Sequence, residues 1–375
     1  MQFKDIIGQK EVKKQLIQEV AEDRIPHAQL LTGPGGNGKL ALAYAFGQYL
    51  NCTNRKDGDS CGECSSCRKS SKLIHPDLHM IYPVVKSEKF KEPTSTDYID
   101  KWRPFFMGNT YPAIDKWMNL IADENKQGSI YVYEAREIIR KLNQKAFESG
   151  YKVAIIWLPE QMNAECANKL LKMIEEPPDR TVFLLAAEDE EQIISTIRSR
   201  CQVIRIPRIG DRDLEAGLAT HPSIGAQNPA TVARLARGNF IYALELLEND
   251  ELRAFNHENF MRLMRLAYSR KGNSELLKWT DEIARIGRVK QKSFLHYCSE
   301  YLRENFVLNL KEPELVYMDD KESEFSARFA PFINERNVIP LFQEFEKAYR
   351  DISMNGNARI IFLDLALQVA IFLRS

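Results

Sequence analysis

The sequence predicts an α/β fold, in which a parallel sheet with helices on both faces is followed by all-helical regions. In residues 1–207, short apolar runs typical of strands alternate with amphipathic patterns typical of helices. This alternation indicates parallel strands joined by helical crossovers. After Pro207 the strand patterns stop and helical patterns continue. A glycine-rich segment lies between the first strand and the next helix, where α/β folds bind anions at a helix N-terminus.

The elements follow in order along the chain. Strands are predicted at 28–32, 78–82, 153–158, 182–186 and 203–206, and helices at 10–22, 39–50, 133–146 and 164–175. Because 375 residues exceed what one core usually holds, we expect three domains, at 1–207, 208–250 and 251–375. The apolar run 360–373 contains Asp364 and Gln368 and is too short to cross a membrane, so it predicts a buried core helix.

Charge and the first residues indicate the kind of partner and the location. The 52 basic residues balance the 52 acidic ones, so no overall field attracts the chain to nucleic acid or to anionic membranes. Any contact with DNA is therefore expected to be local or shared with partner subunits. The segment from Met1 to Asp5 leads directly into an amphipathic pattern and does not resemble a signal peptide. We expect a soluble, cytoplasmic protein.

The segment from Gly33 to Lys39, GPGGNGK, has the spacing of a phosphate-binding loop. In such a loop backbone N–H groups surround the phosphates and the lysine adds charge, so Gly33, Gly36, Gly38 and Lys39 are the candidate nucleotide ligands. The next residue is normally Ser or Thr, whose hydroxyl holds Mg²⁺, but here it is Leu40. The alternative is that GPGGNGK forms only a tight turn between strand and helix and binds no nucleotide.

Four of the seven cysteines, Cys52, Cys61, Cys64 and Cys67, are spaced C-x8-C-x2-C-x2-C. Overlapping C-x2-C steps allow adjacent thiolates to bind one ion, and four thiolates fill the tetrahedral coordination of Zn²⁺. Such a site has no open position for water, so it is structural. Its negative charge would be offset by the nearby Arg55, Lys56, Arg68 and Lys69. The alternatives are an iron–sulfur cluster and unlinked cysteines or disulfides, although the cytosol is reducing.

Six motifs follow one another between residues 1 and 248. They are FKDIIGQ at 3–9, IPHA at 25–28, GPGGNGK at 33–39, the four-cysteine cluster, KLLKMIEEPP at 169–178 and TIRSRC at 196–201. In this order they resemble the bacterial clamp-loader subunits of the AAA+ class. The resemblance implies an AAA+ P-loop domain with an inserted zinc module, then a small helical lid domain. The remaining helices would form an all-helical collar domain, by which five subunits assemble in the DNA polymerase III clamp loader.

The resemblance also implies positions for ATP hydrolysis, and this chain has apolar residues at each of them. In the family, acidic residues after a strand hold Mg²⁺ and activate water, and two polar sensors contact the nucleotide. The corresponding residues here are Leu40 at the loop, Trp157 and Leu158 after the strand, Ala186 and Ala187 at the first sensor and Ile241 at the second. Glu160 lies too far along to replace the acidic pair. We expect a non-hydrolysing stator subunit, and the alternative is an active motor subunit (gamma/tau-like).

One catalytic motif is intact. Ser199-Arg200-Cys201 resembles the segment by which this family presents an arginine finger, in trans, to the γ-phosphate of a neighbouring subunit. A guanidinium suits that role because it stays charged and bridges two phosphate oxygens. The alternative is that Arg200 forms an ordinary salt bridge. The implied partners are gamma/tau-like motor subunits and a delta-like subunit, with the sliding clamp and primer–template DNA bound through the assembled complex.

Residues 84–130 depart from the family, in which a short link is expected. Their large apolar side chains are too many for a solvated loop. They include Trp102, Phe105, Phe106, Met107, Tyr111, Trp117 and Met118. We expect this insertion to pack against the chain's own sheet domain, and the alternative is a surface for a partner.

Overall fold

A parallel sheet forms the centre of the first half of the chain. The computed structural model describes residues 1–122, 128–148, 150–224, 228–248, 250–269, 273–311 and 315–374. The strands in these ranges are β1 (Ala28–Thr32), β2 (Leu78–Ile81), β3 (Lys152–Trp157), β4 (Thr181–Ala187) and β5 (Gln202–Arg205). Their order is β2-β3-β4-β1-β5, and each neighbouring pair is parallel. The predicted parallel sheet is confirmed, and each strand lies within one residue of its predicted bounds.

Two compact units divide the chain, Met1–Glu245 and Leu246–Ser375. The helices that begin in the first unit are α1 (Lys10–Ala21), α2 (Lys39–Asn51), α3 (Ser65–Ser70), α4 (Ile99–Met107), α5 (Ile114–Ile121), α6 (Val132–Leu142), α7 (Ala164–Glu175), α8 (Ser195–Arg198), α9 (Asp211–Ala219), α10 (Pro229–Ala236) and α11 (Phe240–Glu248). The predicted lid region begins with α9 and α10, which belong to this first unit. The division into three domains at 207 and 250 therefore stays a prediction.

Apolar side chains cover both faces of the sheet. Along β3, Ile155 belongs to a core that it shares with α2, whereas Ala154 and Ile156 belong to a core with α6 and α7. Continuous apolar runs of this kind are typical of parallel strands that are buried on both faces. Every residue of α2 is buried as well. The helix that follows the phosphate loop is therefore held rigidly inside the unit.

Helix α6 ends at Leu142, before its predicted end at 146. The carboxylate of buried Asp77 accepts hydrogen bonds from the backbone N–H groups of Phe147 and Glu148, both at 2.9 Å. These N–H groups are then unavailable for helical hydrogen bonds to carbonyl groups four residues earlier. A side chain from a distant part of the chain thus directs this segment away from the helical path, and the local periodicity does not show it.

The insertion packs against the sheet unit itself, over its described residues 84–122 and 128–130. Trp102 and Trp117, on α4 and α5, are fully buried in the core that contains α2. The Trp102 ring stacks on Tyr82 with ring centroids 3.9 Å apart, and its centroid lies 5.3 Å from that of Trp157. The Trp117 indole N–H donates to the Pro83 carbonyl at 2.8 Å. The expected packing of the insertion on the chain's own sheet domain is thus observed.

The second unit contains the helices α12 (Asp250–Tyr268), α13 (Asn273–Ile283), α14 (Arg288–Asn309), α15 (Asp320–Phe329), α16 (Val338–Ser353) and α17 (Ala358–Phe372). Its core is aromatic, and its fully buried rings include those of Phe260, Trp279, Phe294, Phe345 and Phe362. None of the helices in the described ranges of the chain is long and apolar enough to cross a membrane.

The prediction of a buried core helix at 360–373 is only half right. One face of α17 buries Phe362 and Val369. On another face Ile360, Leu367 and Ile371 are 66%, 50% and 58% exposed. The helix is apolar on both faces, so composition alone predicted burial for side chains that this chain leaves in contact with solvent.

Replacing Trp102 by alanine is expected to lower the free energy of unfolding by about 3–5 kcal/mol, because removal of a fully buried indole leaves a cavity. Urea unfolding of the purified chain measures this change. Phe147→Ala is the control, because Phe147 is 77% exposed. We expect its effect to stay within about 0.5 kcal/mol. Equally small effects of the two substitutions would show that the insertion does not belong to this core.

Candidate phosphate loop, arginine finger and metal centre

The phosphate loop follows β1 and is held by hydrogen bonds within the chain. Gly38 has a φ of +88°, a left-handed conformation that favours glycine, and it precedes α2, which begins at Lys39. The side chain of Asn37 donates to the Ile206 carbonyl at 2.8 Å and accepts the Lys39 N–H at 3.2 Å. Gln9 donates to the Asn37 carbonyl at 3.1 Å. Groups of the chain itself therefore fix the shape of the loop.

Lys39, the candidate phosphate ligand, is already paired. Its side chain is 5% exposed, and its ammonium group donates to the Pro34 carbonyl at 3.0 Å. The ammonium also lies 3.4 Å from a carboxylate oxygen of Glu188, in the segment that follows β4. A phosphate at this loop would have to compete with that carboxylate for the same cation.

The residues at the positions implied for magnesium, water activation and the first sensor are apolar and buried. They are Leu40, Trp157, Leu158, Ala186 and Ala187, each no more than 3% exposed. Their side chains offer no oxygen to a metal ion or to water. Glu160 accepts the N–H groups of Glu188 at 2.7 Å and of Asp189 at 3.4 Å, and burial raises its pKa to about 7. Glu160 thus stabilises the turn after β4.

The start of α11 lies directly on the phosphate loop. The Phe240 N–H donates to the Gly36 carbonyl at 3.0 Å. The Asn239 amide oxygen lies only 1.8 Å from the point that a Cβ at Gly36 would occupy, so a larger residue does not fit there. Ile241, at the position implied for the second sensor, belongs to the same contact, with its backbone nitrogen 3.0 Å from that point.

Arg200 lies in the turn between α8 and β5, and its side chain is 36% exposed. Its guanidinium donates to the Thr196 carbonyl at 2.7 Å and forms an ion pair with Glu175, the last residue of α7. The Ser199 hydroxyl donates to the same carbonyl at 3.2 Å, whereas Cys201 is half-buried against the core beneath the sheet. The salt bridge that the sequence left as an alternative is therefore present, and the arginine remains accessible to solvent.

The topology of the sheet separates Arg200 from the phosphate loop of its own chain. Strands β1 and β5 are parallel. The loop that follows β1 therefore lies at the carboxyl ends of the strands, whereas the turn that precedes β5 lies at their amino ends. The four residue pairs that join the strands span about 10 Å at about 3.3 Å per residue. Arg200 is therefore placed away from any phosphate that this loop would hold.

The four predicted cysteine ligands come together around one point. The sulfur atoms of Cys52, Cys61, Cys64 and Cys67 all lie within 4.8 Å of one another, and those of Cys61 and Cys67 are 3.9 Å apart. Four sulfurs at about 2.3 Å from a tetrahedral Zn²⁺ are about 3.8 Å apart, so this set fits one zinc ion. All seven cysteines of the chain are free thiols, so the cluster contains no disulfide.

Backbone N–H groups support the sulfur atoms. The Cys61 N–H donates to the Cys52 sulfur at 3.3 Å, and the Cys64 N–H donates to the Cys61 sulfur at 3.3 Å. Bonds from the N–H groups of Cys64 and Glu63 lower the pKa of Cys61. The thiolate form that they favour is the form that binds a metal.

The basic residues near the cluster have other partners. Arg55 donates to two carbonyl groups at the end of α2, both at 2.7 Å. Arg68 donates to the Glu63 carbonyl at 2.6 Å, and Lys69 pairs with Glu148. These three side chains therefore stabilise the local fold. Because they keep their positive charges beside the cluster, the expectation that they offset its negative charge stays a prediction. Their contacts had no signal in the sequence.

The cysteine module is tied to the rest of the first unit. The Asp59 carboxylate accepts the N–H groups of Phe3 and Lys4, both at 3.0 Å. The Tyr44 hydroxyl, on α2, donates to the Ser70 carbonyl at 2.5 Å. A change in the module would therefore affect the N-terminal segment and α2 as well.

Three contacts of the site involve residues that the sequence did not single out as functional. They are Glu175 with Arg200, Glu188 with Lys39 and Asn239 with Gly36. Each contact joins residues that are distant in sequence, so no local spacing indicates it. The acidic run at 188–191, directly after a predicted strand, is the one sequence signal that points towards the loop.

The parallel sheet, the loop after β1 and the surrounding helices are similar to AAA+ P-loop folds. A family model described as DNA polymerase III, delta subunit, matches residues 8–210. The delta-prime subunit of DNA polymerase III from Yersinia pestis is 33% identical over 50% of this chain and 44% of its own length. The corresponding subunit from Haemophilus influenzae is 26% identical over 93% of this chain and 92% of its own.

A tau/gamma subunit of DNA polymerase III from Haemophilus influenzae is 24% identical over 96% of this chain and 48% of its own length. The chain thus spans less than half of this relative and of the one from Yersinia pestis. Because the family model covers more than half of the chain, the chain belongs to the DNA polymerase III, delta subunit, family. Within that family it is a delta-prime-like clamp-loader subunit.

We expect the purified chain to contain one Zn²⁺, held by the four clustered cysteines. Replacing Cys64 by serine should lower both the zinc content and the thermal midpoint, because metal binding and folding are coupled at structural sites. Elemental analysis and thermal melting measure these changes.

The control for this substitution is Cys166→Ala, at a buried cysteine outside the cluster, which should leave the zinc content unchanged. Iron with visible absorbance, or protein without zinc after preparation free of chelators, would contradict the assignment.

Proposed function

We propose that this chain is the delta-prime subunit of a DNA polymerase III clamp loader. It acts as a stator that does not hydrolyse ATP and supplies an arginine finger to a neighbouring ATPase subunit, assisting ATP-dependent loading of the sliding clamp onto primed DNA. The observation that carries this proposal is the position of Arg200, at the opposite end of the strands from the phosphate loop. The lysine of that loop, Lys39, is already paired with Glu188. An arginine in that position suits the nucleotide of another subunit.

The absence of hydrolysis follows from the chemistry of the loop and of the end of β3. Phosphoryl transfer needs a metal ion and an oriented water molecule. At the position where the family has an acid, Trp157 packs against Trp102 of the insertion. A carboxylate there would be buried among aromatic rings without a partner, which is strongly unfavourable. The insertion and an acidic catalytic residue are therefore difficult to combine in one protein.

The ion pair of Arg200 is compatible with a role in trans. Glu175 and a nucleotide phosphate both present two oxygens to a guanidinium, so one can replace the other. The two side chains of the pair are 36% and 39% exposed, and exposed pairs of this kind contribute about 0–1 kcal/mol. Exchange of Glu175 for a neighbour's phosphate therefore costs little.

The helical second unit offers a surface for assembly. Ile360, Leu367 and Ile371 are spaced by seven and four residues, which places them along one face of α17. An exposed apolar face of this kind marks an interaction site. We assign it to the collar that joins this subunit to gamma/tau-like and delta-like subunits in the cytoplasm. Contact with the clamp and with primer–template DNA then arises through the complex, in keeping with the chain's balanced charge.

The chain alone is expected to hydrolyse ATP no faster than its Lys39→Ala variant, because the groups that bind metal and activate water are missing. A phosphate-release assay with and without Mg²⁺ measures this. Turnover that depends on Mg²⁺ and disappears in Lys39→Ala would instead identify the chain as an active gamma/tau-like motor subunit.

Arg200→Ala is expected to leave the chain folded and the complex assembled but to slow its ATPase in the presence of DNA and clamp. An arginine finger contributes about 10³–10⁵ in rate at the site that it serves. The loss for the whole complex should be smaller, because only one neighbour depends on this arginine. Lysine should restore little activity, since a point charge cannot bridge two oxygens.

Arg198→Ala is the neighbouring control, and it should retain the wild-type rate. Glu175→Gln tests whether a phosphate can replace Glu175 at Arg200, and Glu176→Gln is its control. Because this substitution frees Arg200, the ATPase rate of the complex should stay the same or rise by up to about fivefold, which corresponds to about 1 kcal/mol. Unchanged clamp loading by an intact complex with Arg200→Ala would mean that Arg200 has only a structural role.

A further inference from the structure

A side chain of the insertion lies on the phosphate loop. The edge of the Tyr111 ring is 3.0 Å from the point that a Cβ at Gly38 would occupy, and Ile6 is 3.2 Å from the same point. Tyr111 is only 7% exposed, so this contact is part of the packed interior. The insertion therefore reaches the residue that immediately precedes α2, although it is distant from the loop in sequence.

Tyr111 connects the loop with two other parts of the first unit. Its hydroxyl oxygen accepts the Ile7 N–H at 2.8 Å. Its ring packs against Phe240, at the start of α11, with ring centroids 4.5 Å apart. Aromatic pairs at this separation contribute stabilisation in addition to that from the apolar area that they bury. Residues 239–244, here called the lid segment, are thus fastened to the N-terminal segment and to the loop by one side chain.

The lid segment also contacts the loop directly, and the two sets of contacts support each other. Phe240 carries both the N–H that donates to the Gly36 carbonyl and the ring that packs on Tyr111. The Asn239 amide oxygen, which occupies the space above Gly36, accepts the Tyr242 N–H at 3.1 Å and so caps α11. Movement of the lid segment away from the loop would break the Phe240–Gly36 hydrogen bond, the ring contact with Tyr111 and the approach of Asn239 to Gly36 together.

A cavity of about 560 Å³ opens beside the Tyr111 ring. Its lining includes Gly8, Tyr111, Gly217 and Phe240, whereas residues 33–39, all of them described, line no part of it. The tyrosine therefore stands between this cavity and the loop.

We propose that Tyr111 holds the lid segment on the phosphate loop in place of a bound nucleotide. A ligand that bridged loop and lid would stabilise their contact in proportion to its concentration and affinity. A side chain of the same molecule does so at all times, without the loss of freedom that a free ligand suffers on binding. The contact between the lid segment and the phosphate loop is then the same at every nucleotide concentration. This goes beyond the proposed function, which concerns hydrolysis and Arg200.

Hydrogen exchange of the full-length chain, followed by mass spectrometry, tests this proposal. In the wild-type chain, exchange at residues 240–244 should be the same with and without Mg-ATP. Tyr111→Ala should accelerate it by about tenfold or more, through local opening. Tyr111→Phe, which loses only the bond to Ile7, should have a smaller effect and remains informative if the alanine variant does not fold.

The matched control is Tyr98→Phe, in the same insertion, where the lost hydroxyl donates to the Val85 carbonyl at 2.8 Å. Tyr98→Phe should leave hydrogen exchange at 240–244 unchanged. In Tyr111→Ala, hydrogen exchange at residues 153–156 of β3 should also be unchanged. The proposal fails if Tyr111→Ala leaves the lid segment protected or loosens β3 equally, or if Mg-ATP slows exchange at the wild-type lid. ATP turnover, measured on the same samples, reports separately on the proposed function.

Discussion

The parallel pairing of β1 with both β4 and β5 is the constraint on which the site depends. Every residue of β1 is buried between its neighbours. The segments at either end of β1 therefore cannot shift without disrupting its pairing with β4 and β5. The glycine-rich loop lies at the carboxyl ends of these strands, and Arg200 lies at their amino ends. The two are therefore separated by the length of the paired strands.

Internal packing, as well as the absence of oxygen ligands, characterises the loop and the end of β3 beside it. Trp157 contacts Trp102, so the apolar end of β3 forms part of the surface on which the insertion folds. Lys39 contacts Glu188, which supplies a negative charge close to the loop. The glycine-rich loop is thus part of a well-packed turn, because Lys39 and the end of β3 already have partners within the chain. At Gly36 a larger residue is excluded for steric reasons, as the approach of Asn239 shows.

Much of the first unit could be predicted from sequence because its signals are local. Buried parallel strands are read from short apolar runs, and the cysteine spacing places four sulfur atoms around one point. The failures come from contacts between distant residues. Asp77 accepts the N–H groups of Phe147 and Glu148 beyond the end of α6, and Tyr111 reaches the loop from an insertion. In α17, apolar composition suggested burial, but solvent exposure depends on which neighbours cover each face.

The ion pair between Glu175 and Arg200 has a consequence for selectivity. A solvent-exposed guanidinium without a partner would attract inorganic phosphate and free nucleotide from the surrounding solution. With a carboxylate already beside it, the guanidinium presents little net charge to such diffusing anions. A phosphate group held in a fixed position by a neighbouring protein can still displace the carboxylate, because that phosphate does not lose its freedom at the moment of contact. In the role proposed for Arg200, Glu175 would therefore make the guanidinium select a docked phosphate over a dissolved one.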